Sequence, residues 1–212
     1  KKPIADEVVE DLKVEVGGDT NSTDGSEPSH MHARTDENYE RGYEWWLMKQ
    51  AKARNPKIIL DALPWGAPGW IGDGKYYSQD MADYMVKFIN GAKQIHGLDI
   101  EYVGIWNETP YDVAYIKLLK KTLLANGLTT KIIAADLYEN QWKITDDFKT
   151  DAELKEAVYA IGAHYSRVKG NVYVTGGALN SGKLLWSTED QPFDESGLIL
   201  QRDWVPGGRI WA

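Results

Sequence analysis

The chain has 212 residues, is 42% hydrophobic and contains 9 Trp and 12 Tyr, so it has enough apolar material for one sizeable core and is not a typical disordered polypeptide. Lys and Arg total 24 against 32 Asp and Glu, and a net charge of −8 without a basic run argues against nucleic-acid binding. The absence of cysteine excludes disulfides and thiolate metal sites, and no apolar run approaches the roughly 20 residues that span a bilayer.

Predicted strands and helices alternate along the first part of the chain. The alternating run Leu12–Val16 predicts a strand that enters a long polar loop, and apolar residues at helical spacing predict a helix over Tyr39–Arg54. A second strand is predicted at Lys57–Leu63. The pattern then indicates a helix over Met81–His96, for which Asp80 is available as the N-terminal cap.

The third predicted strand, Glu101–Glu108, is an apolar run that ends abruptly on an amide and a carboxylate, Asn107 and Glu108. Buried parallel strands have this β-branched and aromatic composition. In βα barrels the catalytic groups lie where such strands end. Asn107 and Glu108 are therefore candidate site residues.

The second half of the chain continues the alternation of helix and strand. A helix over Val113–Asn126 is predicted to end at Gly127, and a shorter helix is predicted over Ala152–Ala157. The remaining predicted strands are Lys131–Ala135, Tyr159–Tyr165 and Lys183–Trp186.

This alternation predicts an α/β fold with a parallel sheet of six strands. Polar or aromatic groups follow at least four of the strands, whereas an open doubly wound sheet would gather such residues at one switch point. A (β/α)8 barrel is therefore the better interpretation. Because a full barrel takes about 250 residues and eight strands, we expect residues 1–212 to be a partial barrel domain that lacks the first and last strands.

Glu108 ends one predicted strand and Glu189 closely follows another, with two further strands between them. At roughly 30 residues per βα unit, the two strands are three apart in the ring, so these carboxylates face each other across its mouth. Two such carboxylates can flank a glycosidic bond, one as acid and one as nucleophile. Asn107 could hydrogen-bond a sugar hydroxyl, and the indoles of Trp65 and Trp70 offer flat apolar faces for sugar C–H groups.

These residues belong to a longer series of sequence strings that resembles the galactocerebrosidase (galactosylceramidase) family. The resemblance covers nearly the whole chain in one order, in VGGD (16–19), TDGSEPSHMH (23–32), RGYEWWLM (41–48), LPW (63–65), PGW (68–70), YVGIWNE (102–108), IGAHY (161–165) and LWSTED (185–190). It implies a retaining β-galactosidase that acts on galactosylceramide and psychosine. It also implies an eight-stranded barrel accompanied by β-sandwich and lectin-like domains, which we do not expect within residues 1–212.

By this resemblance, Glu108 is the general acid/base and Glu189 is the nucleophile. Thr23, Trp65 and Asn107 match substrate-contacting positions. Trp70, His164 and Tyr165 are expected to line the pocket, although a hydrogen bond at the barrel rim accounts for His164 and Tyr165 equally well. Two residue pairs depart from the family pattern, TP (109–110) after Glu108 and QP (191–192) shortly after Glu189. Because of these departures and the domains not expected within residues 1–212, whether this polypeptide alone turns over substrate is an open question.

Several other patterns have simpler interpretations. Trp45 and Trp46 are expected to pack in a helix rather than bind sugar. His30 and His32 have metal-like spacing but no evident third ligand, so we expect polar surface and no metal. The run from Gly177 to Lys183 has phosphate-loop spacing, but a predicted strand follows it instead of a helix. Asn21 begins a short glycosylation motif that arises often by chance.

The sequence thus predicts a glycosidase that needs no cofactor and no metal. The alternatives are a related barrel hydrolase acting on glucosylceramide or galactan, and a non-catalytic carbohydrate-binding fragment. The resemblance implies a galactosphingolipid substrate and, for an animal protein, a lysosomal location and a lipid-presenting partner of the saposin type. A bacterial version would be secreted or periplasmic.

Overall fold

A computed structural model describes residues 11–20, 27–165 and 174–189. Within this part of the chain, six strands form one sheet, every neighbouring pair is parallel, and the strands follow in chain order. The strands are β1 (Asp11–Val16), β2 (Ile59–Pro64), β3 (Tyr102–Val103), β4 (Lys131–Leu137), β5 (Val158–His164) and β6 (Leu184–Glu189). The sheet is six strands of an incomplete (β/α)8 barrel, as the sequence predicts.

Six α-helices of the described ranges alternate with the strands: α1 (Glu44–Arg54), α2 (Gln79–His96), α3 (Val113–Ala125), α4 (Ile144–Asp147), α5 (Ala152–Ala157) and α6 (Gly176–Leu179). The predicted positions of α2, α3 and α5 are confirmed, whereas the four-residue helices α4 and α6 were not predicted. Helix α2 packs on α3, and α3 packs on α5. No helix in the described residues is long and apolar enough to cross a membrane.

The two faces of the sheet carry different apolar clusters. The larger cluster lies between strands and helices and includes Leu60, Met85 and Leu119. The smaller cluster lies on the other face and is formed by Tyr102, Ile133, Ala160 and Trp186, with Ile59 packed against it. Because successive strand residues alternate between faces, residues two positions further along a strand line the same face nearer its carboxyl end.

Strand β3 is shorter than the predicted Glu101–Glu108, because its ladder stops at Val103. The chain nevertheless stays between its neighbours. The Gly104 amide donates to the Ala62 carbonyl at 2.9 Å, and the Asn107 amide donates to the Pro64 carbonyl at 2.9 Å. These bonds carry the backbone to the carboxyl end of the sheet, where Glu108 begins the next loop.

One predicted helix start and one predicted helix cap are wrong. Helix α1 begins at Glu44 rather than Tyr39, since Gly42 has φ +79° and interrupts any helix before it. Helix α2 is capped by Ser78, whose hydroxyl accepts from the Met81 amide at 3.3 Å. Asp80, the predicted cap, instead binds the Arg34 guanidinium at 2.5 and 2.6 Å.

The two adjacent indoles in α1 differ in environment. Trp45 is buried and packs against the Phe88 and His96 rings, as predicted. Trp46 is 59% exposed, so the prediction that it packs in the helix is wrong. Consecutive helix residues point about 100° apart, and only one of the two can face the core.

Candidate active site

The structure brings Glu108 and Glu189 together at the carboxyl end of the sheet. Glu108 follows β3 and Glu189 ends β6, and both side chains are partly exposed, at 25% and 17%. One carboxylate oxygen of each lies within 4.8 Å of the other and of a ring nitrogen of His164. Strand ends that are distant in the sequence therefore meet in one cluster.

His164, the last residue of β5, lies between the two carboxylates and is fully buried. Its Nδ1 is 3.2 Å from Glu108 Oε1 and 3.6 Å from Glu189 Oε2, and its Nε2 is 3.4 Å from Asp136 Oδ1. Burial by itself lowers the pKa of His164, but the hydrogen bonds to Asp136 and Glu108 outweigh burial and raise it. Only the imidazolium can donate from both ring nitrogens, so the site favours the charged ring.

Asp136 connects His164 to a buried lysine. Lys13 Nζ, on β1, lies 3.2 Å from Asp136 Oδ1 and 3.5 Å from Asp61 Oδ2, and all three side chains are almost completely buried. Burial alone raises the pKa of Asp136, but Lys13 and His164 reverse this effect and hold the pKa below its usual value. The Lys13 pKa is raised because the two aspartates outweigh its burial.

Asp61 contributes a second carboxyl to this buried network. Its pKa is raised to about 7 by burial, which the attraction of Lys13 only partly offsets. Lys13 therefore pairs chiefly with ionised Asp136, while Asp61 ionises only near neutral pH. Asp61 lies two residues after Ile59, so this polar layer sits on the same face as the smaller apolar cluster and nearer the carboxyl end.

Tyr165 holds Glu189 from the other side. The Tyr165 hydroxyl donates to Glu189 Oε1, and the Tyr165 amide donates to the Glu189 carbonyl at 2.8 Å. His164 and Tyr165 thus contact the candidate catalytic groups and also form hydrogen bonds at the rim, and the sequence had left these two possibilities open.

The backbone at this rim is strained. Glu108, Asp136 and Tyr165 have φ values of +48°, +53° and +44°, in a region that non-glycine residues rarely adopt. The Glu108 amide also donates to the Asp136 carbonyl at 3.0 Å, which joins two of these positions. Strained residues often cluster at functional sites, where the surrounding structure holds them in place.

Asn107, which directly precedes Glu108, and Trp65, just after the end of β2, differ in what they offer. The Asn107 side chain is buried, and its Oδ1 has no hydrogen-bond partner among the described residues. Trp65 directly follows β2, is partly buried, and lines a cavity of about 280 Å³ with Trp106 and Tyr76. A buried, unsatisfied acceptor is costly unless a ligand or water completes it, which makes Asn107 the stronger substrate-binding candidate.

Other residues singled out in the sequence lie elsewhere. Trp70 donates from its indole to the Met31 carbonyl at 3.0 Å, and Arg34 covers its ring at 5.1 Å from the centroid, so its place in the pocket stays a prediction. Thr23 falls outside the described residues, as does the Asn21 motif.

The two loop histidines differ. His30 is buried with its ring 4.1 Å from that of Tyr84, and burial lowers its pKa to about 3, so the expectation of polar surface is wrong for it. His32 is exposed and binds Asp19 at 2.8 Å.

The sequence patterns did not reveal Lys13, Asp61 and Asp136 as site residues. A lysine and an aspartate inside apolar strands, as in LKV (12–14) and LDA (60–62), were visible signals of buried charge. The partners were not visible, because Lys13 and Asp136 are 123 positions apart.

Glu108, His164 and Glu189 are side-chain types that can also bind a metal ion. Their contacts are already explained by an imidazolium between two carboxylates, so we assign no metal ligand here.

Comparison with known proteins identifies the family. The family model described as "Glycosyl hydrolase family 59" matches residues 2–206. The chain is 54% identical to galactocerebrosidase of Mus musculus over 185 residues, covering 84% of the chain and 26% of that protein. It is 51% identical to galactocerebrosidase of Homo sapiens over 209 residues, covering 92% of the chain and 30% of that protein.

Solved structures agree on the fold. A glycoside hydrolase family 30 subfamily 8 xylanase from Clostridium acetobutylicum superposes with a TM-score of 0.66 at 18% identity, covering 95% of this chain and 56% of that chain. A family 30 endoxylanase from Clostridium papyrosolvens gives a TM-score of 0.60 at 19% identity, covering 80% and 52%. The chain spans less than a third of the length of the curated relatives quoted above, and it belongs to glycosyl hydrolase family 59.

Proposed function

We propose that this chain carries the catalytic centre of a retaining β-galactosidase, in which Glu189 is the nucleophile and Glu108 is the general acid/base. The main support is the approach of the two carboxylates, with oxygens within 4.8 Å of each other. Retaining glycosidases hold their carboxyl groups about 5–5.5 Å apart, whereas inverting enzymes need about 6.5–9.5 Å to admit a water molecule. The short separation favours direct attack on the sugar.

In the first step, the Glu189 carboxylate attacks the anomeric carbon while the bond from that carbon to the leaving oxygen breaks. Glu108 donates its proton to the departing oxygen. In the second step, Glu108 takes a proton from water, and the resulting hydroxide attacks the same carbon and releases Glu189. The sugar leaves with its original anomeric configuration, because two inversions cancel.

The neighbouring residues fit supporting roles in this cycle. Tyr165 donates a hydrogen bond to Glu189 Oε1 and can orient that carboxylate for attack. The His164 ring lies against both glutamates and can place positive charge beside them while the proton moves. Asn107 offers its unpartnered Oδ1 to a sugar hydroxyl, and Trp65 and Thr23 are proposed as further substrate contacts.

Galactosylceramide and related galactosphingolipids such as psychosine are the proposed substrates. The support is the name of the relatives, which are galactocerebrosidases, together with roughly 50% identity to them. We propose a lysosomal location for an animal protein and a lipid-presenting activator as its partner. Glucosylceramide or galactan remains the alternative substrate.

The decisive experiment is covalent trapping with a fluorinated galactoside. We expect the wild-type chain to accumulate a glycosyl-enzyme that mass spectrometry locates on Glu189, and we expect Glu189→Gln to form none. Glu156→Gln, at an exposed carboxylate on helix α5, is the matched control. Adduct formation at wild-type level by Glu189→Gln would remove that residue from its role.

Two simpler assays complete this test. Chromogenic β-galactoside should be cleaved in preference to β-glucoside, and equal rates would contradict the proposed specificity. EDTA should leave the rate unchanged, since the proposed chemistry uses only protons and carboxylates. A rate lost with EDTA and restored by a divalent cation would show that a metal takes part.

A second candidate function is carbohydrate binding without turnover. The supporting observation is that β1 and β6 are each paired on one side only within the described residues, which leaves sheet edges that favour association. A longer polypeptide that includes the additional length of the relatives should be assayed beside this chain. If both bind galactosides and only the longer polypeptide cleaves them, this second function describes the isolated chain.

A further inference from the structure

A cavity of about 610 Å³ opens beside Glu108, between the segment after β3 and the segment after β4. Its apolar lining comes from Pro110, Val113, Leu137 and Tyr138. This volume lies within the range of about 300–1,000 Å³ that is typical of small-molecule sites. The remaining lining residues, apart from Glu108 and Tyr111, are polar: Glu139, Asn140, Lys143 and Asp147. The cavity is therefore large enough to take part of a ligand, and the apolar part of its lining is suited to hydrocarbon.

A contact between the two walls of the cavity fixes its width. Tyr111, from the segment after β3, donates a hydrogen bond from its hydroxyl to Asp147 Oδ2 of α4 at 2.5 Å. Both residues line the cavity. Because one wall is anchored to the other, the cavity is formed before any ligand arrives, and binding does not need to order a loop.

The position of the cavity relative to the two glutamates indicates which part of a substrate it would receive. Glu108 belongs to its lining, and Glu189 does not. In a retaining glycosidase the general acid meets the leaving oxygen, and the nucleophile approaches the anomeric carbon from the opposite side. A cavity that adjoins the acid alone lies on the leaving-group side of the scissile bond.

We propose that this cavity is a binding site for the apolar leaving group of the substrate, namely the hydrocarbon segment nearest the glycosidic oxygen of an alkyl or lipid-linked galactoside. The inference rests on the proposed function for the orientation of the substrate. Burial of hydrocarbon against Val113, Leu137 and Tyr138 supplies the affinity.

The test is equilibrium binding of two thiogalactosides whose sulfur linkage resists cleavage, methyl β-D-thiogalactoside and octyl β-D-thiogalactoside, measured by calorimetry below micelle-forming concentrations. We expect the wild-type chain to bind the octyl compound at least about tenfold more tightly. Two fully buried methylenes would already account for that ratio.

The diagnostic variant is Val113→Asp, which places a charge in the apolar lining. Val113 is the first residue of α3, where a carboxylate interacts favourably with the helix dipole, so the fold should tolerate this change. The matched control is Ala114→Asp, at the next and exposed position of the same helix. Tyr138→Ser, at an exposed residue of the lining, is a second variant in case the first does not fold.

We expect Val113→Asp and Tyr138→Ser to reduce the octyl-to-methyl ratio at least fivefold, with the methyl affinity unchanged, and Ala114→Asp to keep the wild-type ratio. Equal binding of the two compounds by the wild type, or a ratio unaffected by both lining variants, would overturn the cavity assignment. A wild-type chain that shows the ratio and its loss in the lining variants, yet forms no covalent adduct, would overturn only the proposed catalysis.

Discussion

The rim at the carboxyl ends of the strands and the helical layer behind the sheet are built on different principles. At the rim, Lys13, Asp136 and His164 are charged or polar groups buried together, with contacts of 3.2 and 3.4 Å that join three strands. In the helical layer, α2 and α3 bury apolar side chains such as Met85 and Leu119.

The difference also appears in how far each region depends on distant parts of the chain. Helix α3 is capped within its own first turn, because Asp112 accepts from the Tyr115 amide at 2.7 Å. The rim needs residues from β1 to β6 to be in place at once, and its backbone adopts left-handed φ values at Glu108 and Asp136. Local signals therefore specify the helical layer, and only the assembled sheet specifies the rim.

The largest effect in this comparison is expected from Lys13→Met, which leaves Asp136 buried beside Asp61 with the His164 ring in place of two cationic neighbours. Removing one partner of a buried pair costs about 3–5 kcal/mol, so urea denaturation should show a loss of that size. The double variant Lys13→Met/Asp136→Asn should recover part of it, because the remaining charge is gone. A loss below about 1 kcal/mol in the single variant would show that the rim network does not contribute to stability.

A smaller effect is expected from Glu44, a buried acid outside the rim. Burial and the neighbouring Glu27 raise the pKa of Glu44 from 4.5 to about 7. The folded chain keeps a proton that the unfolded chain releases, so stability should fall as the pH rises from about 4.5 to about 7 and then stay level. In Glu44→Gln this dependence should weaken, and by thermal denaturation the difference should be about 5 °C.

The exposed Glu40→Gln is the control for this experiment, since it changes the same charge without burial. If both variants keep the wild-type pH dependence of the melting temperature, then Glu44 does not hold the proton. Asp61 at the rim would then be the next candidate for the group that causes the pH dependence, because its pKa is also raised to about 7.

The smallest effect is expected from the helical layer, at the cap of α3. Asp112→Ala removes the side chain that accepts from the Tyr115 amide and should cost about 1 kcal/mol, while Asp112→Asn should keep most of the stability. Chemical denaturation of the three proteins measures both changes. An equal loss in the alanine and asparagine variants would mean that the carboxylate charge, rather than the cap, is what matters.

Much of the architecture could be predicted from the spacing of apolar residues and from the residues that mark turns and helix ends. Short apolar runs, of which the first alternates with polar residues, indicated the six strands in order, and Gly127 marked the end of α3, where it adopts φ +70°. The errors fell where a tertiary contact overrode a local preference. Asp80 is a residue type that often caps helices, but its carboxylate accepts hydrogen bonds from Arg34, and Ser78 caps α2 instead.

The candidate site was predicted in part. Glu108, Glu189 and Asn107 follow strand-like runs, so their location at one rim could be inferred from the parallel arrangement alone. His164 and Tyr165 were named without a settled role, and Lys13, Asp61 and Asp136 were missed. Strand patterns show that a polar residue is present in an apolar run, but they do not show which charge lies opposite.

The sequence by itself determined the class of fold, the order of the strands and the family. The spacing of apolar residues and the turn residues are local features of the chain, and the sequence strings that resemble the family are visible without a structure. Only the tertiary structure decided that one imidazole lies against both glutamates, that a buried lysine compensates the aspartate behind it, and that a cavity adjoins Glu108. The physical reason is that electrostatic pairing and cavity shape depend on distances between strand ends, and those distances exist only after the strands have assembled into the sheet.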